Sequence, residues 1–138
     1  MLVLPVLARL LPLSLLLLAA ACQPRHNAPV VLKQLEGTWL LSQEENIGDT
    51  LVYRPNTYNF PPARGRTGFA IKPYGRFEQF DIAPTDGLAG HPGTWVVDNG
   101  PYLRIHLNEN PEPDYLLELI SLRSNVLKVR KLPVPSKK

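Results

Sequence analysis

The stretch TWVVDNGPYLRIHL, residues 94–107, decides the fold class. Two runs that read as β-strand flank the dipeptide NG, which favours the two-residue turn of a β-hairpin. In the second run Leu103, Ile105 and Leu107 share one face, because successive side chains of a strand point to opposite sides. The stretch therefore predicts an antiparallel hairpin with one apolar face.

Segments of the same kind occur on both sides of this hairpin. The chain holds 15 prolines and 9 glycines, and it has no long stretch with helical periodicity. The pattern predicts an all-β fold, a small antiparallel up-and-down meander closed into a barrel of about seven to eight strands, because closure removes exposed edges. A two-sheet β-sandwich is the alternative that the sequence leaves open. The further segments are 35–43, 68–72, 77–82, 115–122 and 126–132.

The N-terminus has the features of a signal peptide. Arg9 is its only charged residue, and the apolar run 11–18 is shorter than the ~20 residues that a membrane-spanning helix needs. Three alanines then precede Cys22. We expect a signal peptide over residues 1–21, a lipidated cysteine with a polar tether over 22–30, a barrel domain over 31–133 and a tail over 134–138.

Cys22 is the only cysteine in the chain, so it cannot form an internal disulfide. The motif LLAAAC, residues 17–22, resembles the lipobox of bacterial lipoproteins, in which the cysteine becomes the lipidated first residue. Cleavage that leaves an unmodified Cys22 is the alternative. The resemblance implies an exported protein, lipid-anchored in the cell envelope and facing the periplasm or the surface. Gln23, by resemblance to bacterial sorting rules, implies the outer membrane.

Charge argues against a nucleic-acid partner. Removal of Arg9 leaves 14 basic and 12 acidic residues, a net charge of about +2, and the basic residues are spread along the chain. The partners that we expect are the membrane, through the lipid on Cys22, and either a small apolar ligand or an envelope protein.

The motif LEGTW, residues 35–39, opens the first predicted strand with Gly37 and Trp39. Together with the spaced segments IKPYGRF, PGTW, YLRI, YLLELISL and LKVRKL, it resembles the bacterial lipocalin-like lipoproteins. The resemblance implies that Trp39 closes the barrel floor and that an arginine of the last strand, Arg130, packs over its ring. GTW recurs with Trp95, which we interpret as a second large inward ring at a strand entrance and not as an internal repeat.

No motif for catalysis or metal binding stands out. The three histidines, His26, His91 and His106, lie at no metal-ligand spacing, and a Gly-x-Ser-x-Gly elbow is missing. The adjacent Glu44 and Glu45 point to opposite faces of a strand, so they make no acid/base pair. We therefore expect a protein that is not an enzyme and that holds no metal or cofactor. An enzyme would need a convergent pair such as His91 with Asp86 in a cleft.

The least regular region is 45–66, which contains the start of NFPPARGRTGF, residues 59–69. One interpretation is a cover over one barrel end, with prolines stiffening the loop and arginines bonded to its carbonyls. The other is a rim site in which arginines bind a carboxylate, phosphate or sugar beside aromatic rings, or pair with an aspartate. The candidate residues are Arg54, Tyr58, Phe60, Arg64, Arg66 and Asp86.

The leading hypothesis is non-catalytic binding of a small, partly apolar ligand at the loop-covered barrel end. The alternative is a protein-interaction or inhibitor module of the envelope that uses the same loop. The barrel interior separates the two hypotheses: an open apolar cavity favours a small ligand, and a filled barrel with exposed loop aromatics favours a protein partner. Such a cavity would be lined by Trp39, Phe69, Phe77 and Trp95.

Overall fold

Eight antiparallel strands form one closed barrel, which confirms the all-β barrel expected from the sequence. The computed structural model describes residues 32–83, 87–109 and 113–137, so the signal peptide, Cys22, the tether, His26 and Asp86 lie outside the described residues. The elements are α1 Leu32–Leu35, β1 Gly37–Leu41, a 3-10 helix Gln43–Glu45, β2 Leu51–Pro55, β3 Gly68–Lys72, β4 Arg76–Ile82, β5 Leu88–Asn99, β6 Tyr102–Leu107, β7 Tyr115–Arg123 and β8 Val126–Pro133.

The strand order departs from a simple up-and-down sequence in one place. From β3 to β8 each strand pairs with the next, but β1 lies between β2 and β3 and pairs with both. The strands β2 and β3 therefore run parallel to each other on either side of β1, and parallel strands need a crossover connection of about a dozen residues. Residues 56–67, called the crossing segment below, make that connection along the length of β1.

The strands β1, β2 and β5 differ from the sequence prediction. The predicted segment 35–43 is shortened to β1, because Leu35 belongs to α1 and Gln43 begins the 3-10 helix. The strand β2 lies within the region 45–66 that the sequence marked as irregular, and β5 begins at Leu88 instead of Thr94. The early part of β5 contains Gly90, Pro92 and Gly93, which are residues that ordinarily weaken strands. In β5 they are held by pairing with β4, where Pro92 lies opposite Glu78.

The barrel interior is filled by its own side chains. Phe69 lies between two other rings, with centroid distances of 4.8 Å to Tyr53 and 5.6 Å to Phe77. An eight-stranded barrel is narrow enough for inward side chains to fill it. The buried cluster consists of Leu35, Trp39, Tyr53, Phe69, Ile71, Phe77, Leu103, Ile105, Leu107, Tyr115, Leu117, Leu127 and Val129.

The two barrel ends are built differently. We call the end at which β1, β4, β6 and β8 begin the floor, and the opposite end the mouth. At the floor the turns are short, with positive φ angles at Gly75 and Gly100, and α1 inserts the fully buried Leu35. The Trp39 indole N–H donates to the Leu35 carbonyl at 2.8 Å. Trp95, which is half-buried against the core, donates its indole N–H to the Lys72 carbonyl at 3.1 Å.

Barrel closure brings the backbones of β1 and β3 unusually close at Gly68. A Cβ atom at this position would overlap the Trp39 carbonyl oxygen and press on the backbone of Leu40. Gly93 has the same relation to the His106 carbonyl. At these positions hydrogen is the only side chain that the strand spacing accepts.

We expect Gly68→Ala to lower the free energy of unfolding by about 1–3 kcal/mol, because the added methyl group must displace the backbone of β1. Urea unfolding followed by tryptophan fluorescence measures the change. Gly65→Ala is the matched control, since Gly65 has no positive φ and the added Cβ would meet the Ile82 side chain at an ordinary contact distance of 3.6 Å. Equal stability of the two variants would contradict the close approach of β1 and β3.

Candidate functional site

Arg54 on β2 is held by a carboxylate and a ring on the outer wall of the barrel. It lies opposite Leu40 in the β1–β2 register, between positions whose side chains point inward. Its Nε and Nη2 atoms donate to the two carboxylate oxygens of Glu45 at 2.9 and 2.7 Å. Its Cζ atom lies 4.5 Å from the centroid of the Tyr58 ring.

Arg66 lies near the end of the crossing segment that leads into β3. It is also held by a carboxylate and a ring. Its Nη1 and Nη2 atoms donate to Glu44 at 2.9 and 2.6 Å, and they also donate to the carbonyls of Leu41 at 3.1 Å and Pro61 at 2.8 Å. Its Cζ atom lies 4.6 Å from the centroid of the Phe60 ring. Arg66 therefore fixes the segment to the end of β1.

The contacts of Arg54 and those of Arg66 meet at the rings of Tyr58 and Phe60, which pack edge to face with centroids 4.9 Å apart. The result is a continuous outer-wall array in the order Glu45, Arg54, Tyr58, Phe60, Arg66 and Glu44. The adjacent Glu44 and Glu45 of the 3-10 helix thus bind the two arginines on either side of the Tyr58–Phe60 ring pair. The array explains how the crossing segment is fixed against the outer wall of the barrel.

The hydrogen bonds change the acidity of both glutamates. The bond from Arg66 lowers the pKa of Glu44 from its ordinary 4.5 to about 2, and the bond from Arg54 lowers the pKa of Glu45 to about 2. A carboxylate that accepts charge-assisted hydrogen bonds resists protonation. The array is therefore intact at neutral pH and is lost in acid.

The predicted ligand residues fall into two groups. Arg54, Tyr58, Phe60 and Arg66 come together, but the guanidinium groups of both arginines are engaged with carboxylates and rings. Arg64 is exposed on the crossing segment and forms no ion pair with another described residue. Asp86 lies outside the described residues.

Arg130 is not over the Trp39 ring, so that expectation from the resemblance is wrong. Leu127 and Val129 point inward on β8, and alternation therefore places Arg130 on the outer face. Its Nη1 donates to Glu118 at 2.9 Å. Its Nε lies 2.9 Å from an oxygen of Asp49, where the contact is an ion pair without the alignment of a hydrogen bond.

A polar cluster lies inside the mouth, where the sequence analysis placed no site residue. Gln79 and Asp81 share the inner face of β4 with the buried Phe77. The Tyr115 hydroxyl donates to Gln79 Oε1 at 2.8 Å, and Gln79 Nε2 donates to the Asp81 carboxylate at 3.1 Å. His91, opposite Gln79 on β5, brings Nε2 to 3.3 Å from Asp81 Oδ2.

This cluster borders a cavity of about 140 Å³. Lys131 reaches the same cavity because it continues the inward alternation of Leu127 and Val129 on β8. The Lys131 ammonium lies 4.1 Å from the centroid of the Tyr115 ring, and it forms no ion pair with another residue in the described part of the chain. The lining residues are Tyr53, Thr67, Gly68, Phe69, Gln79, Phe80, Asp81, Tyr115, Leu117 and Lys131.

A larger, open groove lies next to this cavity at the rim. It measures about 600 Å³ and shares Tyr115 and Lys131 with the cavity. Its other walls are mostly apolar: Pro113, Leu132, Pro133 and Val134, with Arg104 and Asp114 beside them. Tyr115 and Lys131 therefore form a ridge between an inner polar cavity and an outer apolar groove.

The inner cluster had a weak signal in the sequence. Gln79 and Asp81 lie two and four residues after Phe77, and Lys131 lies two residues after Val129, so polar residues follow the apolar face of each strand. Recognition of the cluster also requires knowing that these strand ends reach the same barrel mouth. The sequence alone does not show that the barrel closes and brings these strand ends together.

The described residues hold no group of three or more His, Cys, Asp or Glu side chains arranged for a metal ion. The Nδ1 atom of His106 lies 2.7 Å from the Oδ1 atom of Asp114. Within the same residues, none of the helices has the length and apolar character to cross a membrane.

Comparison with protein-family models, with curated proteins and with solved structures gave no match.

We expect the stability of the protein to fall as the pH drops from about 5 to about 2, because Glu44 and Glu45 have a lower pKa in the folded state than in the unfolded state. Their stabilisation is complete above the unfolded pKa and is lost as the pH falls through the folded pKa. Urea unfolding at several pH values measures the loss.

The double variant Glu44→Gln/Glu45→Gln should be less stable than the wild type at neutral pH and should show a smaller acid-induced loss. Glu36→Gln is the control, since Glu36 is exposed and outside the array. A double variant that keeps the full wild-type pH dependence would show that other carboxylates cause it.

Proposed function

We propose that this chain is an exported, lipid-anchored barrel of the cell envelope whose mouth binds a partner protein without catalysis. The observation that carries the proposal is the filled interior. Trp39, Phe69 and Phe77 are 5, 4 and 2% exposed and pack into the core, and of these three rings Phe69 alone also borders the small mouth cavity. A barrel without an apolar calyx has little room for an enclosed lipid-like ligand.

Exposed apolar side chains at the mouth support a macromolecular partner. Ile82 and Leu88 face each other across β4 and β5 at the rim and are 48 and 51% exposed. Ile47, in the connection between β1 and β2 at the same end, is 72% exposed. Apolar residues grouped around a polar opening are typical of a protein interface.

A small ligand is the second candidate, and the mouth cavity favours it. Its volume of about 140 Å³ is below the ~300–1,000 Å³ of pockets that enclose a whole ligand. A small ligand would therefore insert only one end.

Non-catalytic binding is proposed because the polar side chains of the mouth are bonded to one another. Asp81 is engaged by Gln79 and His91, and the Tyr115 hydroxyl donates to an amide oxygen and not to a base.

Envelope anchoring is proposed from the signal-like N-terminus, from Cys22 and from the resemblance to bacterial lipocalin-like lipoproteins. The tether would hold the barrel near the membrane, with the outer membrane as the expected site. This part of the proposal has its own test.

Cys22→Ser should prevent lipid attachment and move the protein from the membrane fraction to the soluble fraction of the envelope, because a cysteine thiol is the acceptor of the lipid. Mass spectrometry of the intact protein measures the loss of the lipid mass. Wild-type and variant masses that differ only by the exchange of sulfur for oxygen would refute lipidation at Cys22.

A photoreactive amino acid at Ile47 or Leu88 should cross-link a partner protein in intact envelopes, because both positions are exposed at the mouth. The matched control is Tyr74, which is 97% exposed but lies in the β3–β4 turn at the floor. Adducts are detected by gel shift and identified by mass spectrometry. Cross-linking from Tyr74 alone, or from none of the three positions, would contradict binding at the mouth.

A further inference from the structure

We infer that the mouth cavity is a binding site for a carboxylate group, held by the Lys131 ammonium and the Tyr53 hydroxyl. The inference rests on the proposed binding function and names the chemical group that the mouth recognises. The carboxylate can belong to a free aliphatic acid or to the C-terminus of a polypeptide, since both present the same group.

Lys131 supplies a cation at the cavity that forms no ion pair with another described residue. Its ammonium is oriented by the Tyr115 ring, which leaves donors available on the side away from the ring. Asp81 is the described carboxylate that lines the cavity, and it is already engaged by the Gln79 amide and the His91 imidazole. A carboxylate placed beside Lys131 would give its ammonium the ion pair that no described residue provides.

Tyr53 supplies a second donor from β2, the strand that pairs with β8. The residue is 8% exposed and lines the cavity, and its hydroxyl bonds to no other group in the described part of the chain. Burial raises the pKa of Tyr53 to about 12, so the hydroxyl keeps its proton at neutral pH. A ligand in the cavity that brings an acceptor oxygen would give this hydroxyl a hydrogen-bond partner.

Size and charge favour a carboxylate over a phosphate. A cavity of about 140 Å³ equals the share of roughly four or five water molecules, enough for a carboxylate and its first carbons. A phosphate ester carries about −1.5 to −2 charges, which one lysine beside Asp81 would balance poorly. Phe69 and Leu117 give the first carbons an apolar wall, and the outer groove beyond Lys131 gives the remainder of the ligand a path.

The test is an NMR titration of the isotope-labelled, purified protein with sodium hexanoate, and with hexanamide as the uncharged analogue. We expect saturable shifts at Phe69, Leu117 and Tyr115, and weaker binding of hexanamide. Lys131→Met should weaken hexanoate binding about tenfold or more, and Tyr53→Phe about threefold to tenfold, because each removes one hydrogen-bond donor.

Lys128→Met is the matched control. Lys128 lies on the same strand but on the outer face, so its loss should leave binding unchanged. Tyr53→Phe removes one oxygen atom and keeps the ring in the core. It therefore still tests the site if Lys131→Met disturbs the structure of the mouth. Absence of saturable shifts at the cavity, or equal binding by all variants, would overturn the inference.

A short peptide with a free C-terminus and the same peptide with an amidated C-terminus distinguish the two sources. Lys131-dependent binding of the free peptide alone would support a polypeptide terminus, and binding of hexanoate without the peptide would support a free acid. Cross-linking at the mouth with no hexanoate binding would overturn the carboxylate site and leave the proposed function standing. Hexanoate binding with no cross-linked partner would support the site and contradict the protein partner.

Discussion

Closure of the barrel depends on β1, because its five residues pair with β2 on one side and with β3 on the other. Without β1 the remaining strands would form an open sheet with two unpaired edges. Two close contacts accompany the closure. The backbone of β1 passes next to Gly68, and the Trp39 indole is bonded to Leu35 of the helix that covers the floor.

The position of β1 also determines what the crossing segment can do. Because β2 and β3 are parallel and separated by β1, residues 56–67 must run along the barrel wall, and the interior is already filled. Glu44, Glu45, Arg54 and Arg66 fix this segment against the outside. The arginines that look most suited to a ligand are therefore used for structure, and the inner mouth with Lys131 and Tyr53 becomes the place where an unsatisfied charge meets a cavity.

Local patterns in the sequence predicted the hairpins well. The β5–β6 hairpin and the alternation of Leu103, Ile105 and Leu107 are confirmed, because each depends on neighbouring residues. The turn itself lies one residue later than predicted, at Gly100 and Pro101, after a register shift between Val97 and Asn99. The strand β2 and the position of β1 between β2 and β3 could not be predicted from the sequence, because both depend on contacts between residues that are distant in the chain. The mouth cluster was missed for the same reason: Gln79, Asp81 and Lys131 belong to strands that meet only when the barrel closes.

Native mass spectrometry of the protein, released from envelopes in mild detergent, tests the central claim that a filled barrel binds a partner at its mouth. We expect a complex with another protein, and a barrel that carries no enclosed apolar molecule on the order of a few hundred daltons. Such a molecule retained in a defined ratio, with no protein bound, would contradict it. That result would mean that the aromatic interior opens into a calyx.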